Sequence, residues 1–266
     1  MCPHCRAFIT TADRVCPYCG DNVGPKAIAV RAPAAILGLI PAANFTTVLI
    51  LLINVALYIA TEYMARGIGQ NGALWAFGAK YGPSMLRDHQ WWRLVTAGFL
   101  HGGLLHIAMN SWVLYDLGAQ VEQVFGTPRY LVIYFVGTVA GFYLSVSINP
   151  ILSIGSSAGI MGLVGGMIAF GVLNRSSVGT AIRNHYARYV VYMLAFGFIG
   201  GFGVDNWAHI GGLLGGFAIA WVAGTPVRST HAKEAGWRAA AGVCLAITVL
   251  CFFLMYRAFP PPEALR

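Results

Sequence analysis

The chain has little charge for its length. Of its 266 residues, 10% are charged and 58% are hydrophobic, whereas a soluble domain carries roughly 25% charged residues. No Asp, Glu, Lys or Arg occurs from Ala42 to Ala60 or from Tyr130 to Leu173. A helix needs about 20 mainly apolar residues to cross a bilayer, so the second run has room for two crossings. The composition excludes an ordinary soluble domain and predicts an all-α polytopic membrane protein.

Two other features are scarce. Residues 1–14 are polar and contain cysteine, so they lack the apolar stretch of a secretory signal. Acidic residues number nine against 17 Lys and Arg, which gives a net charge of +8. In a soluble protein this excess would favour nucleic acid as a partner. In a membrane protein it binds anionic lipid and orients the spans, so we expect a lipid bilayer and no nucleic acid.

Seven membrane spans are predicted from the apolar runs, with boundaries accurate to roughly 2–4 residues. They cover about 44–64, 102–120, 129–148, 156–173, 188–204, 206–224 and 238–257. The connection 65–101 is too polar to cross but is rich in residues typical of the headgroup region. These are Trp75, Tyr81, Arg87, Trp91, Trp92 and Arg93. The loops 174–188 and 225–238 hold six basic residues and one acidic residue, which predicts a cytoplasmic side that includes the N-terminus.

Four polar positions stand out within these spans, where polar groups are costly and usually functional. They are His106, Asn110, Ser157 and His209. With the N-terminus inside, spans two, four and six all enter from the outer face, and each of these residues lies near the start of its span. Three helices far apart in sequence are therefore expected to bring reactive groups to a similar, outer depth.

Ser157 and His209 are the residue types of nucleophilic catalysis. A serine hydroxyl is a weak nucleophile until a base takes its proton, and imidazole is the side chain best suited to that role near pH 7. Small residues at every fourth position let transmembrane helices pack closely. Span six carries such a stripe at Ala208, Gly212, Gly216 and Ala220. Asp205 lies just outside span six, and no other carboxylate has a useful depth, so we expect a dyad rather than a triad.

The oxyanion of such a reaction needs hydrogen-bond donors. Ser157 begins a helix, where backbone N–H groups are unpaired, while His106 and Asn110 are four residues apart on one helix face. Each residue alone has a plainer interpretation, because Ser, His and Asn commonly bond backbone carbonyls or join helices within membranes. The catalytic interpretation depends on their combination.

Three blocks of sequence carry a family resemblance. They are Trp92-Arg93 with Phe99-Leu100-His101-Gly102-Gly103 and His106-Ile107-Ala108-Met109-Asn110; Gly155-Ser156-Ser157-Ala158-Gly159-Ile160-Met161-Gly162; and Asp205-Asn206-Trp207-Ala208-His209-Ile210-Gly211-Gly212. They resemble the Trp-Arg loop and H-x-x-x-N, the G-x-S-G and the A-H-x-G-G motifs of the rhomboid intramembrane serine proteases. Any one block is weak evidence, whereas all three in this order are strong.

The resemblance implies a six-helix protease core over about 44–224, with one further C-terminal span in this chain. It implies hydrolysis of peptide bonds in or near the transmembrane segments of membrane proteins, without a catalytic metal. The connection 65–101 would lie partly in the outer leaflet, and the membrane would be of the bacterial inner-membrane type. A catalytically silent relative that binds membrane clients is the alternative.

By matching position, the resemblance makes Ser157 the nucleophile and His209 the general base. His106, Asn110 and the backbone N–H of Ser157 would form the oxyanion hole. A transporter that relays protons through the two histidines is a third hypothesis. The expected absence of buried Asp or Glu within the spans disfavours it.

The sequence departs from the family pattern at two positions. Ala158 stands where the family usually has Gly, which reduces backbone freedom after the nucleophile. Met161 stands where many members have an aromatic ring, although a thioether can also contact an imidazole face. Ser156 adjoins Ser157 and is the fallback nucleophile.

The N-terminal segment contains two C-x-x-C pairs, formed by Cys2, Cys5, Cys16 and Cys19. Four thiolates suit a closed tetrahedral zinc site, and the pattern resembles small zinc ribbons. A segment this short cannot bury a core, so the metal would supply the folding energy. A redox pair and a disulfide staple are the alternatives, and a cytoplasmic location disfavours the staple.

The predicted organisation has four parts: a zinc-ribbon-like cytoplasmic module at 1–24, an interfacial linker at 25–43, the protease core at 44–224, and a cytoplasmic loop, seventh span and tail at 225–266. Two further cysteines, Cys244 and Cys251, lie one heptad apart in the last span. We predict that they are packing residues.

Overall fold

The computed structural model describes residues 4–5, 7–8, 15–21, 35–36, 40–41, 44–199, 203–225 and 229–261. Helices dominate these residues, and two short strands, β1 (Ala35–Ile36) and β2 (Ile40–Pro41), pair antiparallel. The helices are α1 (Phe45–Ile68), α2 (Gln70–Ala76), α3 (Gly82–Leu86), α4 (Arg93–Thr96), α5 (Leu104–Ile148), α6 (Ser157–Leu173), α7 (Ser177–Ile199), α8 (Asn206–Ala223) and α9 (His231–Arg257). The predicted all-α class is confirmed.

Helix α5 is long because it contains two of the predicted spans. Its 45 residues are interrupted by Gly126, whose φ of 75° and ψ of 157° are not helical. Glycine adopts positive φ without a steric penalty, and Pro128, two residues later, lacks a backbone donor. The two arms of α5 therefore meet at a sharp kink, where the sequence had predicted a longer break at 121–128.

Two helices begin earlier in the sequence than the spans predicted for them. Helix α7 begins at Ser177 instead of 188, and α9 begins at His231 instead of 238. In both, polar and basic residues such as Arg183 and Lys233 had been assigned to loops. A helix can extend beyond the apolar layer into polar surroundings, and hydropathy alone does not detect that extension.

The described helices differ in whether they are long and apolar enough to cross a membrane. Helices α1, α5 and α9 are long and apolar enough to cross a membrane, and α6 is a shorter apolar helix of 17 residues. Only 17% of the apolar window is buried in α1 and in α9. Helix α6, in contrast, is buried along most of its length. It packs against α5, α7 and α8, and α5 and α8 also pack against each other.

Glycines bring α6 and α8 into backbone contact. A Cβ built on Gly216 would lie 2.0 Å from the carbonyl oxygen of Gly162, and one on Gly212 would lie 2.2 Å from that of Ala158. Both glycines belong to the small-residue stripe predicted on span six, and all four residues of that stripe are buried. The close approach aligns the first turns of the two helices.

The connection between α1 and α5 is organised around Arg93, which is buried. Its NH1 donates to the carbonyl oxygens of Trp75 (2.8 Å) and Ala79 (2.9 Å), and its guanidinium lies 4.7 Å from the ring centroid of Trp92. Arg93 had been predicted to be a headgroup anchor. It instead braces the inside of this connection, which continues through a 3-10 turn at Ala97–Phe99 into α5.

Candidate active site

Ser157 and His209 are in contact. The Oγ of Ser157 lies 2.9 Å from the Nε2 of His209, although the two residues are 52 positions apart. Ser157 is the first residue of α6 and is partly exposed, whereas His209 lies buried in the first turn of α8. With the imidazole protonated at Nδ1, Nε2 accepts the hydroxyl hydrogen. This is the geometry by which a base activates a serine.

No carboxylate orients this imidazole within the part of the chain that the structure describes. The Nδ1 of His209 has no hydrogen-bond partner there. The Asp205 carboxylate caps α8 instead, accepting a hydrogen bond from the backbone N–H of Ala208 at 3.0 Å and one from the hydroxyl of Ser145. The dyad stays a prediction.

His106 borders the same small space as Ser157. A Cβ built on Gly155, whose φ is +128°, would lie 2.9 Å from the Nε2 of His106 and 3.4 Å from the Oγ of Ser157. Glycine is needed here both for its backbone conformation and for the room that it leaves. The Nδ1 of His106 accepts a long hydrogen bond (3.5 Å) from the N–H of Gly102. Its Nε2 therefore borders the space beside Gly155 that the Ser157 hydroxyl also borders.

Asn110 lies one helical turn after His106 and is also buried. Its Nδ2 has no hydrogen-bond partner among the described residues. A buried donor without a partner is costly, so this amide is available to a group that enters the site. The N–H groups of the first turn of α6 likewise have no partner within the helix. The three predicted oxyanion donors thus lie at the ends of two neighbouring helices.

The neighbouring serine has a different partner. The Oγ of Ser156 lies 3.3 Å from the Nε2 of His101, and both residues are fully buried. Burial, together with the nearby His106, lowers the pKa of His101 to about 3, so this imidazole is neutral at physiological pH. Ser157 combines partial exposure with a second imidazole, which favours it over Ser156 as the nucleophile. The sequence pattern indicates His101 only as part of a motif and does not predict its contact with Ser156.

Sequence reasoning also missed Lys80. Its side chain is fully buried, and its Nζ lies 3.6 Å from the Oδ2 of Asp205. The available signal was a single lysine in a segment, 67–86, that has no other charged residue. A lone cation among apolar residues needs a partner.

Three N-terminal cysteines lie close together. The Sγ atoms of Cys5, Cys16 and Cys19 are all within 4.8 Å of one another, and those of Cys5 and Cys16 are 3.6 Å apart. Two thiolates on a tetrahedral zinc ion are about 3.8 Å apart, whereas a disulfide would need about 2.05 Å. The donors and their spacing therefore suit a metal ion. Cys2, the fourth predicted ligand, lies outside the described residues.

The site residues lie inside a segment that matches a known family. The Rhomboid domain family model matches residues 88–226, which is more than half of the chain and includes Ser157 and His209. The chain belongs to the rhomboid family. Since α1, α5 and α9 also have the length and apolar composition of membrane spans, this rhomboid is an integral membrane protein.

Three relatives illustrate the similarity. Rhomboid protease GluP of Bacillus subtilis (strain 168) is 35% identical over 159 residues, which are 60% of this chain and 31% of that protein. Rhomboid-like protease 3 of Toxoplasma gondii is 30% identical over 174 residues, 62% of this chain and 64% of its own. Rhomboid-like protease 2 of the same organism is 30% identical over 220 residues, which are 78% of this chain and 76% of that protein. The chain thus spans less than two thirds of the first two.

Proposed function

We propose that this rhomboid is an intramembrane serine endopeptidase that hydrolyses peptide bonds in or near the transmembrane segments of membrane proteins. The observation that carries the proposal is the 2.9 Å contact between the Ser157 hydroxyl and the His209 imidazole. The names of the relatives, which include "Rhomboid protease GluP", support the same reaction class. The lipid bilayer and a transmembrane protein substrate are the partners that this function requires.

The chemistry follows from the geometry. The Oγ of Ser157 attacks the scissile carbonyl carbon while Nε2 of His209 takes the hydroxyl proton. Negative charge develops on the former carbonyl oxygen, where His106, Asn110 and the Ser157 N–H are the proposed donors. The protonated His209 then gives its proton to the leaving amine. A water molecule, deprotonated by His209, hydrolyses the acyl-enzyme and restores the serine.

The substrate must change conformation before it reacts. A transmembrane helix satisfies its own peptide groups, so a bond inside it is accessible only where the helix unwinds. We expect substrates with Gly, Pro or other helix-weakening residues near the cut. Equal cleavage of an otherwise identical substrate with an all-Leu helix would contradict this expectation.

The orientation belongs to the same proposal. The basic loops 174–188 and 225–238 favour the cytoplasm for the N-terminus. The first turns of α6 and α8 would then face the outer side, where water reaches the serine. A reporter fused to the N-terminus and protected from external protease in sealed vesicles would support this topology, whereas its digestion would contradict it.

Cleavage of a transmembrane reporter by wild type, Ser157→Ala and His209→Ala tests the proposed reaction. We expect both variants to lose at least several hundredfold in rate, and the double variant to lose little more, because nucleophile and base act as a unit. A serine-directed fluorophosphonate should label wild type but not Ser157→Ala. If wild type neither cleaves the reporter nor reacts with the probe, the catalytically silent client-binding alternative replaces the protease.

We also propose that Cys2, Cys5, Cys16 and Cys19 hold a structural zinc ion. The convergence of three of the four thiols supports a closed thiolate site. Zinc content measured on the purified full chain should be about one ion per molecule, and it should fall in Cys5→Ser and Cys16→Ser. Unchanged zinc content in both variants would contradict this assignment. Cys244→Ser is the matched control, since that cysteine lies in α9.

A further inference from the structure

Lys80 connects three segments of the chain around the proposed dyad. Its side chain is fully buried in the connection between α2 and α3. The Nζ donates to the carbonyl oxygen of Asn149, at the end of α5, over 2.8 Å. The same nitrogen lies 3.6 Å from the Oδ2 of Asp205, at the start of α8. One ammonium group therefore joins the connection that precedes α5, the end of α5 and the start of α8.

The backbone of Lys80 holds the loop that leads to Ser157. The N–H of Lys80 donates to the carbonyl of Ser153 (3.0 Å), and the N–H of Ser153 donates to the carbonyl of Lys80 (2.9 Å). Two residues further on, the N–H of Gly82 donates to the carbonyl of Pro150 (2.8 Å). The loop 149–155 is thus hydrogen-bonded to the segment that carries the lysine. The bonded residue Ser153 lies only four residues before the proposed nucleophile, Ser157.

Asp205 forms the other end of this arrangement. Its carboxylate accepts from the N–H of Ala208 at 3.0 Å, and its backbone carbonyl accepts from the N–H of His209 at 3.1 Å. The first turn of α8 is therefore built on Asp205. A shift of Asp205 would therefore move His209 and change the distance between its imidazole and the Ser157 hydroxyl.

We propose that Lys80 is a positioning residue, which holds the loop before Ser157 and the first turn of α8 in the one arrangement that brings the two side chains into contact. This inference rests on the proposed function. Among the described residues, the hydrogen bonds and the ion pair of Lys80 involve neither the dyad nor the proposed oxyanion donors. The Lys80 side chain acts through Asn149 and Asp205, while its backbone holds Ser153. Ser153 and Asp205 lie four residues before Ser157 and His209 respectively.

The energetics of the pair are consistent with a geometric role. Burial lowers the pKa of Lys80, and the attraction of Asp205 only partly opposes that shift. An ion pair with this balance contributes little net stability, because the cost of desolvation offsets the Coulomb energy. Fixing the relative position of two backbone segments is a use that does not depend on net stabilisation.

Reporter cleavage and fluorophosphonate labelling by Lys80→Met, with Arg87→Met as the matched control, test this inference. Arg87 is an exposed cation of the same connection. For Lys80→Met we expect kcat and the labelling rate of Ser157 to fall about tenfold to a hundredfold, because a displacement of about 1 Å can cost that much. KM should stay near the wild-type value, since substrate contacts are not altered. Arg87→Met should behave like wild type.

Asp205→Asn provides a second variant that keeps the helix cap, because Asn is as good an N-cap as Asp. It should show the same split between kcat and KM. The double variant Lys80→Met/Asp205→Asn should lose no more than the more affected single variant, since both substitutions disrupt the same ion pair between Lys80 and Asp205. Cleavage and labelling within about twofold of wild type in both single variants would overturn the proposal.

The amide hydrogen exchange of Ala208 and His209 provides a readout that does not need activity. Both amides donate to Asp205, so they should exchange faster in Lys80→Met than in Arg87→Met. If wild type is inactive, the proposed protease function fails while this measurement still tests the positioning role. Equal exchange in the two variants would contradict that role even in an active enzyme.

Discussion

The central helices and the peripheral helices of this rhomboid are held by different means. Helices α6 and α8 meet backbone to backbone, at distances that only glycine permits. Helices α1 and α9 bury only 17% of their apolar windows and are joined to the bundle by individual side-chain contacts. In lipid, where the hydrophobic effect does not drive helices together, packing and hydrogen bonds are the available attachments. The proposed dyad lies on the pair whose position is set most closely.

The side-chain contacts of the peripheral helices can be named. In α1, the hydroxyl of Thr47 donates to that of Tyr130 over 3.1 Å. In α9, Glu234 accepts hydrogen bonds of 2.9 Å and 2.7 Å from the buried Arg129. These contacts can be removed one at a time, which makes the comparison testable.

The largest effect is expected for Gly216→Ala. The new methyl would overlap the backbone of Gly162, which cannot rotate aside as a side chain can. Separating α6 from α8 should lower the midpoint of thermal unfolding and reduce reporter cleavage about a hundredfold or more. Gly242→Ala on α9, where nothing lies within 4 Å of the new methyl, should leave both measurements unchanged. Similar losses in the two variants would show that the helix pairs are equally constrained.

Arg129→Met should have a smaller effect, confined mainly to α9. The substitution removes the hydrogen bonds to Glu234 and one of 3.2 Å to the hydroxyl of Ser229. We expect the connection between α8 and α9 to be cut faster by an added protease, and reporter cleavage to fall only a few-fold. The control is Arg183→Met, because the side chain of that exposed arginine hydrogen-bonds only its neighbour Asn184 among the residues that the structure describes. An activity loss as large as that of Gly216→Ala would remove the distinction between centre and periphery.

A third effect depends on pH and concerns the first turn of α8. Burial would raise the pKa of Asp205, but hydrogen bonds from Ser145, Ser153 and the Ala208 amide, together with Lys80, hold it below its unfolded value of 3.8. A lowered folded-state pKa contributes stability above the unfolded value, and this stability is lost as the pH falls through the folded value. The free energies of unfolding of wild type and Asp205→Asn should therefore differ by a constant amount down to about pH 4 and converge below it. A difference that already shrinks between pH 7 and 5 would contradict the assignment.

The smallest effect on catalysis is expected from metal removal. Chelation, or Cys5→Ser, should remove zinc from the N-terminal module and leave cleavage of a generic reporter unchanged, because the proposed chemistry uses no metal. The measurement is zinc content alongside cleavage rate in the same preparation. A loss of cleavage that parallels the loss of zinc would show that the N-terminal module contributes to catalysis.

The close packing of the central helices could be predicted from the sequence, because small residues recur at helical spacing. Gly212 and Gly216 lie one turn apart on the face that also carries His209, so a close approach to another glycine-rich span brings that histidine to Ser157. The catalytic roles of both residues stay predictions. The start of α7 at Ser177 was missed because its first turns are polar, which gives no hydropathy signal.

Contacts between distant segments could not be predicted in the same way. The partners of Lys80 are a carbonyl at Asn149 and a carboxylate at Asp205, and no spacing rule connects the three. The same holds for Ser156, whose pairing with His101 depends on how the connection before α5 folds over the start of α6. Such contacts depend on tertiary structure, and hydrophobic periodicity carries no information about them.

The length of α8 has a consequence for the lipid beside its exposed face, which carries Leu214 and Val222. Its 18 residues extend about 27 Å, whereas the hydrocarbon layer of a bilayer is about 30 Å thick. A span shorter than the bilayer is accommodated by thinning of the lipid beside it. The rhomboid would thereby draw the headgroups of a leaflet down towards residue 157, and a substrate segment beside it would have less hydrocarbon to leave before it meets the serine.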